Sequence, residues 1–559
     1  MVKNPSRFLS IVLLCSALFF TTNILAITPP HNAVASAHPL ATAAGLDILE
    51  QGGNAFDAAV AVTATLAVVE PTGSGLGGGG FWLLHRAKDN FQTMIDGREK
   101  APGAAHRDMY LDDAGNVIPK LSIDGPLAAG IPGVPAALEH LAKQYGTLPL
   151  KQTLAAAIRH ASEGFSINES YRRLAKFRLN ALRNSPGAAA IFLNNRQLPE
   201  AAYIVRQTDL AETLTAIAKQ GAAGFYTGTV ANKLVKGVRA AGGNWTLQDL
   251  KDYQIKERRP IKGHFQGIDI ISASPPSSGG IALVTMLNIL NELDVDFTTG
   301  TDKHLVIEAM RRAYRDRAVY LGDPDFIDIP TKRLIDPLYA AGLAASIRHD
   351  RATASKQLPG VTDISTGTDT THFSILDKEG NRVAATLSIN FPFGSAFVPP
   401  GTGVLLNDEM DDFSSKPSTP NVYGLIGGEA NAIAPDKRPL SSMSPSFLES
   451  ERGIAIVGTP GGSRIITMVL LAALDFAKGN GPDSWVNIGR FHHQFIPDVV
   501  AFEKGALTDN EIEILTNMGH TLKQRSRPYG NMQAILWDKQ KNQVSAASDP
   551  RGSGSAELR

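Results

Sequence analysis

The chain has 559 residues, of which 43% are hydrophobic and 19% charged, with 54 basic and 54 acidic side chains. That is long enough to bury a large core in one or more domains, and the composition is that of a globular protein. Zero net charge argues against nucleic acid or an anionic membrane as the main partner, because both select a basic surface.

Lys3 and Arg7 precede an apolar run over 8–20, and Ala26 closes the stretch that follows. This is the pattern of a secretory signal peptide over 1–26. The run is short for a membrane span, and no later segment is long and apolar enough to be one. Cys15, the single cysteine, lies inside the run, with Leu14 where a lipoprotein signal would place a small residue. Removal of 1–26 leaves no disulfide framework, no thiolate nucleophile and no Cys-based zinc site.

The pattern over 39–51 predicts a helix stopped by Gly52 and Gly53, with Asn54 capping a second helix over 55–69. The glycine-rich "TGSGLGGGG" at 72–80 follows, then the strand-like "FWLLH". It contains GxGxxG, but a dinucleotide site needs a strand before that motif and a helix after it. Here the order is reversed, so the glycines are read as allowing tight turns and close approach of another segment. Residues 130–260 read as mostly helical, and "PPSSGG" as the turn before a helix from about Ile281. Residues 345–369 lack a pattern and read as exposed loop.

From Thr370 the texture changes. "THFSILD" and "RVAATLSIN", joined by "KEGN", form a hairpin with period-two alternation. "SAFVPP", "GVLLND" and "GIAIVGTP" also read as strands, "RIITMVLLAALDFAKG" as a buried helix, and "NMQAILWD" with "NQVSAASD" as a late hairpin. Such blocks predict a layered α/β or α+β core with helices packed on sheets. His492 and His493 are adjacent, so they do not aim at one metal and read as structural.

Three features carry chemistry. The run Asp408, Glu409, Asp411, Asp412 is either a solvated turn or a cluster aimed at an ammonium group. Gly461 and Gly462 precede a helix, where amides without internal partners can face an oxyanion. Thr370 opens a strand directly after the patternless stretch. As a new N-terminus it would supply a hydroxyl nucleophile with its own amine as base. Before cleavage the same Oγ can attack the Asp369 carbonyl in an N→O acyl shift, and hydrolysis of that ester frees the Thr370 amine.

Eight stretches in this order resemble the γ-glutamyltranspeptidases over nearly the whole mature chain. They are "GGNAFDAAVA", "LGGGGF", "DGREKAP", "PPSSGGI", "TTHFSILD", "LLNDEMDDFSSKP", "NVYGLIGGEANAIAPDKRPLSSMSP" and "GTPGGSRII". The resemblance implies an N-terminal-nucleophile hydrolase, a four-layer αββα sandwich built from two fragments of one precursor, 27–369 and 370–559. It makes Thr370 the nucleophile for self-cleavage, after Asp369, and for catalysis. Arg98, Ser441 and Ser442 would bind the donor's α-carboxylate; Glu409 and Asp412, helped by Asn390, would hold its α-ammonium. Gly461 and Gly462 would form the oxyanion hole, Ser388 would assist Thr370, and a lid over 417–428 would bring Tyr423 to Asn390.

The implied substrates are glutathione and other γ-glutamyl compounds, with water, amino acids or dipeptides as acceptors. No cofactor and no metal is implied, and the signal peptide implies a periplasmic or secreted enzyme. Two positions depart from common family usage: Asp369 stands where Gln or Asn is frequent and Ser388 where Thr is common; at Glu409 some members have Gln. A glutaryl- or cephalosporin-type acylase and an uncleaved γ-glutamyl-binding protein are the rival readings.

Overall fold

The computed structural model describes residues 27–293, 295, 300–359, 370–414 and 428–559. Asn54 caps its helix as expected: its Oδ1 accepts from the amides of Phe56 and Asp57, and Asp57 accepts in return from the Asn54 amide. The two helices Pro39–Glu50 and Ala55–Val69 lie on one face of a seven-stranded sheet. In spatial order its strands are Ser555–Leu558, Ala33–Ser36, Thr371–Leu376, Arg382–Ser388, Gly79–Arg86, Phe91–Asp96 and Lys256–Arg258, and all neighbours are antiparallel.

A second, six-stranded antiparallel sheet packs on the other face. Its order is Gln543–Ser548, Gln533–Asp538, Gly453–Gly458, Ser446–Glu449, Ile268–Ser272 and Ile261–Phe265. The helices Gly279–Glu292 and Ile465–Ala477 cover its outer side. The layers are therefore α, β, β, α.

Period-two alternation assigns the side chains of the first sheet. Val34, Trp82, Leu84, Phe373 and Ile375 face the outer helices, while Ala33, Ala35, Phe81, Leu83 and Leu376 face the second sheet. Both faces are thus buried, and the strand Thr371–Leu376 is buried at every residue. Burial on two sides accounts for the apolar character of these strands.

Two expected strands are absent. The stretch "SAFVPP" bends at Ala396, φ 54°, with Pro399 and Pro400 unable to donate to a ladder, and "GVLLND", from Gly403 at φ 65°, makes one isolated bridge, Leu406 to Gly77. They pair with each other only around Leu406, whose amide donates to the Phe397 carbonyl. The helix expected from Ile281 starts at Gly279. The region 130–260 is mainly helical, as read, with the short strand pair Phe165–Ser166 and Ile204–Val205 inside it. Residues 1–26, read from the sequence as a signal peptide, lie outside the described residues. Among the described residues no helix is long and apolar enough to cross a membrane.

Candidate active site

Thr370 immediately precedes the strand Thr371–Leu376, an interior strand of the first sheet, and is 8% exposed. Its neighbours have structural tasks. Thr371 donates to Glu70 Oε2 at 2.5 Å, and the buried His372 ring meets Thr386 Oγ1 at 2.8 Å and Ser374 Oγ at 3.3 Å. Burial lowers the His372 pKa to about 3, so the ring stays neutral and its two nitrogens are spent on the core.

A small cavity opens beside Thr370. Arg98, Arg317, Thr370, Ser388, Asn390, Asp412, Ser441, Ser442 and Gly462 line it, with Met443, Ser463 and Ile465. Nearly all the site residues expected from sequence are therefore brought to one place from distant parts of the chain. Glu409 joins them through Arg98. Asp369 and Tyr423 lie outside the described residues, as does all of the expected lid at 417–428 except Gly428.

Arg98 follows the strand Phe91–Asp96 and is locked by its surroundings. Its amide donates to Asp96 Oδ1, and its Nε donates to the Pro439 carbonyl at 3.2 Å. The fork then reaches the acidic cluster: Nη1 to Glu409 Oε2 at 2.6 Å, Nη2 to Asp412 Oδ2 at 2.5 Å. The run Asp408 to Asp412 is thus not a solvated turn. Burial alone would make the Arg98 proton easier to lose, but Glu409, Asp412 and Glu99 reverse this and hold it charged.

Three carboxylates share this one guanidinium, so they do not all ionise with equal ease. Burial, then the charge of Glu409, pushes Glu99 well above its ordinary value. Glu409 is raised to about 7: burial and Asp412 push it up, while Arg98 and Ser388 resist.

Backbone supports fix these groups. Asn407 donates to the carbonyls of Gly77 and Gly130 at 2.6 and 2.8 Å and accepts from the Glu409 amide, which ties the acidic turn to the glycine-rich segment. Asn431 Nδ2 donates to the Asp412 carbonyl at 2.7 Å. The "PPSSGG" turn, to which the sequence assigned no site role, cradles the serines: Ser278 donates through its amide and Oγ to the Ser441 carbonyl, and Ser277 Oγ donates to Met443. Ser388 Oγ accepts from the Asn390 amide at 2.7 Å. Asn390, at φ 71°, donates to the Asp408 carbonyl.

Gly461 at φ 143° and Gly462 at φ 56° hold conformations that side chains resist. They lead through a short turn into the helix Ile465–Ala477, and neither amide donates to a described residue. Both are available to an oxyanion.

Sequence reading missed Arg317. It stands in the helix Gly300–Tyr320, is 4% exposed, and lines the cavity together with Arg98. Its Nε donates to Ser278 Oγ at 3.0 Å and its Nη2 to Ser442 Oγ at 3.3 Å, with no ion pair among the described residues. Burial lowers its pKa to about 10 against the pull of Tyr314 and Asp412. Four arginines fall between 311 and 317, and nothing in that pattern singled this one out.

His492 and His493 are structural, as expected: they turn to different partners, Thr467 and Gln494 for one, Asp498 for the other. Among the described residues one group has metal-ligand composition, His304, Glu308 and His520. The Glu308 oxygens are taken by Arg311 and Arg312, and His304 Nδ1 lies 2.7 Å from His520 Nε2, a hydrogen bond between rings.

Residues 41–558 match the family model described as gamma-glutamyltranspeptidase. The chain is 42% identical over 540 residues to a glutathione hydrolase proenzyme of Pseudomonas sp. (strain A14), covering 93% of this chain and 92% of that protein. It is 41% identical over 527 residues to the protein of that name from Escherichia coli (strain K12), covering 93% and 90%. The fold is similar to that of the cephalosporin acylase from Bacillus halodurans, with TM-score 0.82 and 25% identity over 100% of this chain and 98% of that one. With the αββα layers and the assembled site, these matches establish that the chain belongs to the gamma-glutamyltranspeptidase family.

Proposed function

We propose that the chain is a γ-glutamyltranspeptidase and glutathione hydrolase that cuts itself before Thr370. The observation that carries this reading is the cavity joining Thr370 to cations, acids and paired hydroxyls within one enclosure. A γ-glutamyl group bears a carboxylate and an ammonium on one carbon. Arg98, Arg317, Ser441 and Ser442 offer donors to the first, and Asp412 with Glu409 offers acceptors to the second. An acyl donor without the ammonium would leave that acidic pair with no cationic partner from the substrate.

The chemistry follows from Thr370. In the precursor its Oγ attacks the Asp369 carbonyl, the peptide C–N bond breaks, and water hydrolyses the resulting ester. The freed amine, with an ordinary pKa near 8, then takes the Oγ proton as Oγ attacks the donor's γ-carbonyl. The Gly461 and Gly462 amides receive the oxyanion, and Ser388 assists the nucleophile. The leaving amine takes a proton and departs, leaving a γ-glutamyl ester on Thr370, which water or an amino acid resolves. The working form is a heterodimer of fragments 27–369 and 370–559, exported by the signal peptide at 1–26.

The test is a denaturing gel with N-terminal sequencing of the smaller band. It begins Thr-Thr-His-Phe on this reading, and Thr370→Ala stays full-length and inactive. A wild-type chain that remains whole after long incubation would sink the self-activating reading and leave an uncleaved γ-glutamyl-binding protein to be tested with ligands.

A further inference from the structure

The loop that follows the strand Arg382–Ser388 has an unusual backbone. Asn390 at φ 71°, Phe393 at φ 60°, Gly394 at φ 52° and Ala396 at φ 54° are all left-handed. Three of these are not glycine, and such conformations persist only where the surroundings over-determine them. The loop begins with Asn390, which lines the small cavity beside Thr370. What holds this loop therefore bears on the site.

The head of the loop is tied within the C-terminal part of the chain. The Asn390 amide donates to Ser388 Oγ at 2.7 Å, its Nδ2 donates to the Asp408 carbonyl at 3.0 Å, and the Phe391 amide donates to Asp408 Oδ1 at 2.9 Å. The remainder is gripped from far upstream. Arg178 closes the helix Glu169–Phe177 and is 6% exposed. Its Nε donates to the Pro392 carbonyl at 3.0 Å and its Nη2 to the Gly394 carbonyl at 2.8 Å. Nη1 lies 2.7 Å from Asp124 Oδ1. The guanidinium also stands 5.0 Å from the centre of the Phe391 ring, within cation–π range. The buried Phe393 ring anchors the same turn between Tyr171 and Phe192, with ring centres 5.3 and 5.5 Å away. Arg178 does not itself line the small cavity. It reaches the site only through the loop it holds.

We propose that Arg178 is a positioning residue for donor recognition: its fork pins the loop from Asn390 to Gly394 in the one shape that presents Asn390 to the donor's α-ammonium. The inference rests on the γ-glutamyl transfer reading above, in which Arg178 belongs to the fragment 27–369 and the loop to the fragment 370–559. The ammonium needs an acceptor, and on Asn390 that atom is Oδ1. Its direction is set by the left-handed turn at Asn390 and by the Nδ2 bond to Asp408. Without the fork the Pro392 and Gly394 carbonyls lose their donor, the strained turns relax, and Asn390 swings with them. A lysine would keep the charge but could not span both carbonyls, because only the planar guanidinium offers donors at that fixed spread.

The experiment uses the processed enzyme with γ-glutamyl-p-nitroanilide as donor and reads competitive inhibition by L-glutamate and by glutarate, which lacks only the ammonium. Wild type binds L-glutamate more tightly. Arg178→Gln and Arg178→Lys each raise the Ki of L-glutamate about tenfold, as loss of a hydrogen bond to a charged group implies, while the Ki of glutarate stays within about twofold. Asp124→Asn loosens Arg178 from behind and moves the ratio of the two constants in the same direction by less, so it reads the proposal even where the Arg178 variants fail to fold. A parallel rise of both constants, which general loosening of the fold would give, or a ratio equal to that of wild type overturns the proposal. Failure of the parent reading looks different: wild type releases no p-nitroaniline, and both ideas fall.

Discussion

The guanidinium of Arg98 donates to Glu409 at 2.6 Å, and both side chains are only 1% exposed. The pair is not a simple salt bridge, because Asp412 takes the other arm of the same fork. Glu409 therefore titrates near 7 instead of its ordinary 4.5, chiefly through burial.

A pH dependence follows from that shift. Below pH 7 Glu409 is protonated and withdraws one negative charge from the donor's ammonium, so kcat/KM for the donor rises between about pH 6 and 8. Glu409→Gln fixes the neutral form and removes this inflection, leaving the one due to the Thr370 amine. Rate profiles of both proteins with γ-glutamyl-p-nitroanilide decide it, and coincident profiles would refute the assignment.

Arg317 carries a different expectation. Arg317→Gln removes a guanidinium that lines the cavity without an ion pair, so donor KM rises about 10- to 100-fold by loss of a charge-assisted contact. Because a buried charge is removed, the melting temperature holds or rises. A fall in stability with KM unchanged would make the residue a structural support.

Gly78 tests the packing of the strand beside Thr371–Leu376. A Cβ there would lie 2.1 Å from the Ser388 carbonyl oxygen, so Gly78→Ala forces the strand Arg382–Ser388 outward. The cost is about 1–3 kcal/mol of stability. Ser388 and Asn390 shift with it, and the uncut precursor accumulates. Thermal melts and a processing time course on a gel measure both effects.

Asn54→Ala removes two accepted hydrogen bonds at the head of the helix Ala55–Val69 and costs about 1 kcal/mol. Denaturant titration reads this, and donor kinetics stay at wild-type values.

Much of this was legible because local chemistry and fold agreed. Asn54 before an apolar helix, the alternating hairpin after Thr370 and the glycine pair before a buried helix each specify one local structure. The eight ordered motifs then located Thr370, Arg98 and the acidic turn. What escaped was decided by distant contacts. Arg317 differs from Arg311 and Arg312 only in what its helix face meets, and Asn407 and Asn431 act through backbone carbonyls far along the chain. The two misread strands were short apolar runs without alternation, and Pro399, Pro400 and a left-handed Ala396 bend the first of them out of a ladder.

The strand orders have one more consequence. In the first sheet Thr371–Leu376 lies between Ala33–Ser36 and Arg382–Ser388, and in the second Ser446–Glu449 pairs with Ile268–Ser272. A cut between 369 and 370 therefore leaves two polypeptides threaded through the same sheets, and neither keeps a complete core of its own. Scission changes the molecularity of folding without changing the folded shape. Once denatured, the cut enzyme has to find its other half by diffusion, so its refolding slows on dilution, while an uncuttable chain regains its structure at a rate indifferent to concentration. The self-cleavage proposed at Thr370 would in that way make the active fold far harder to recover than to make the first time.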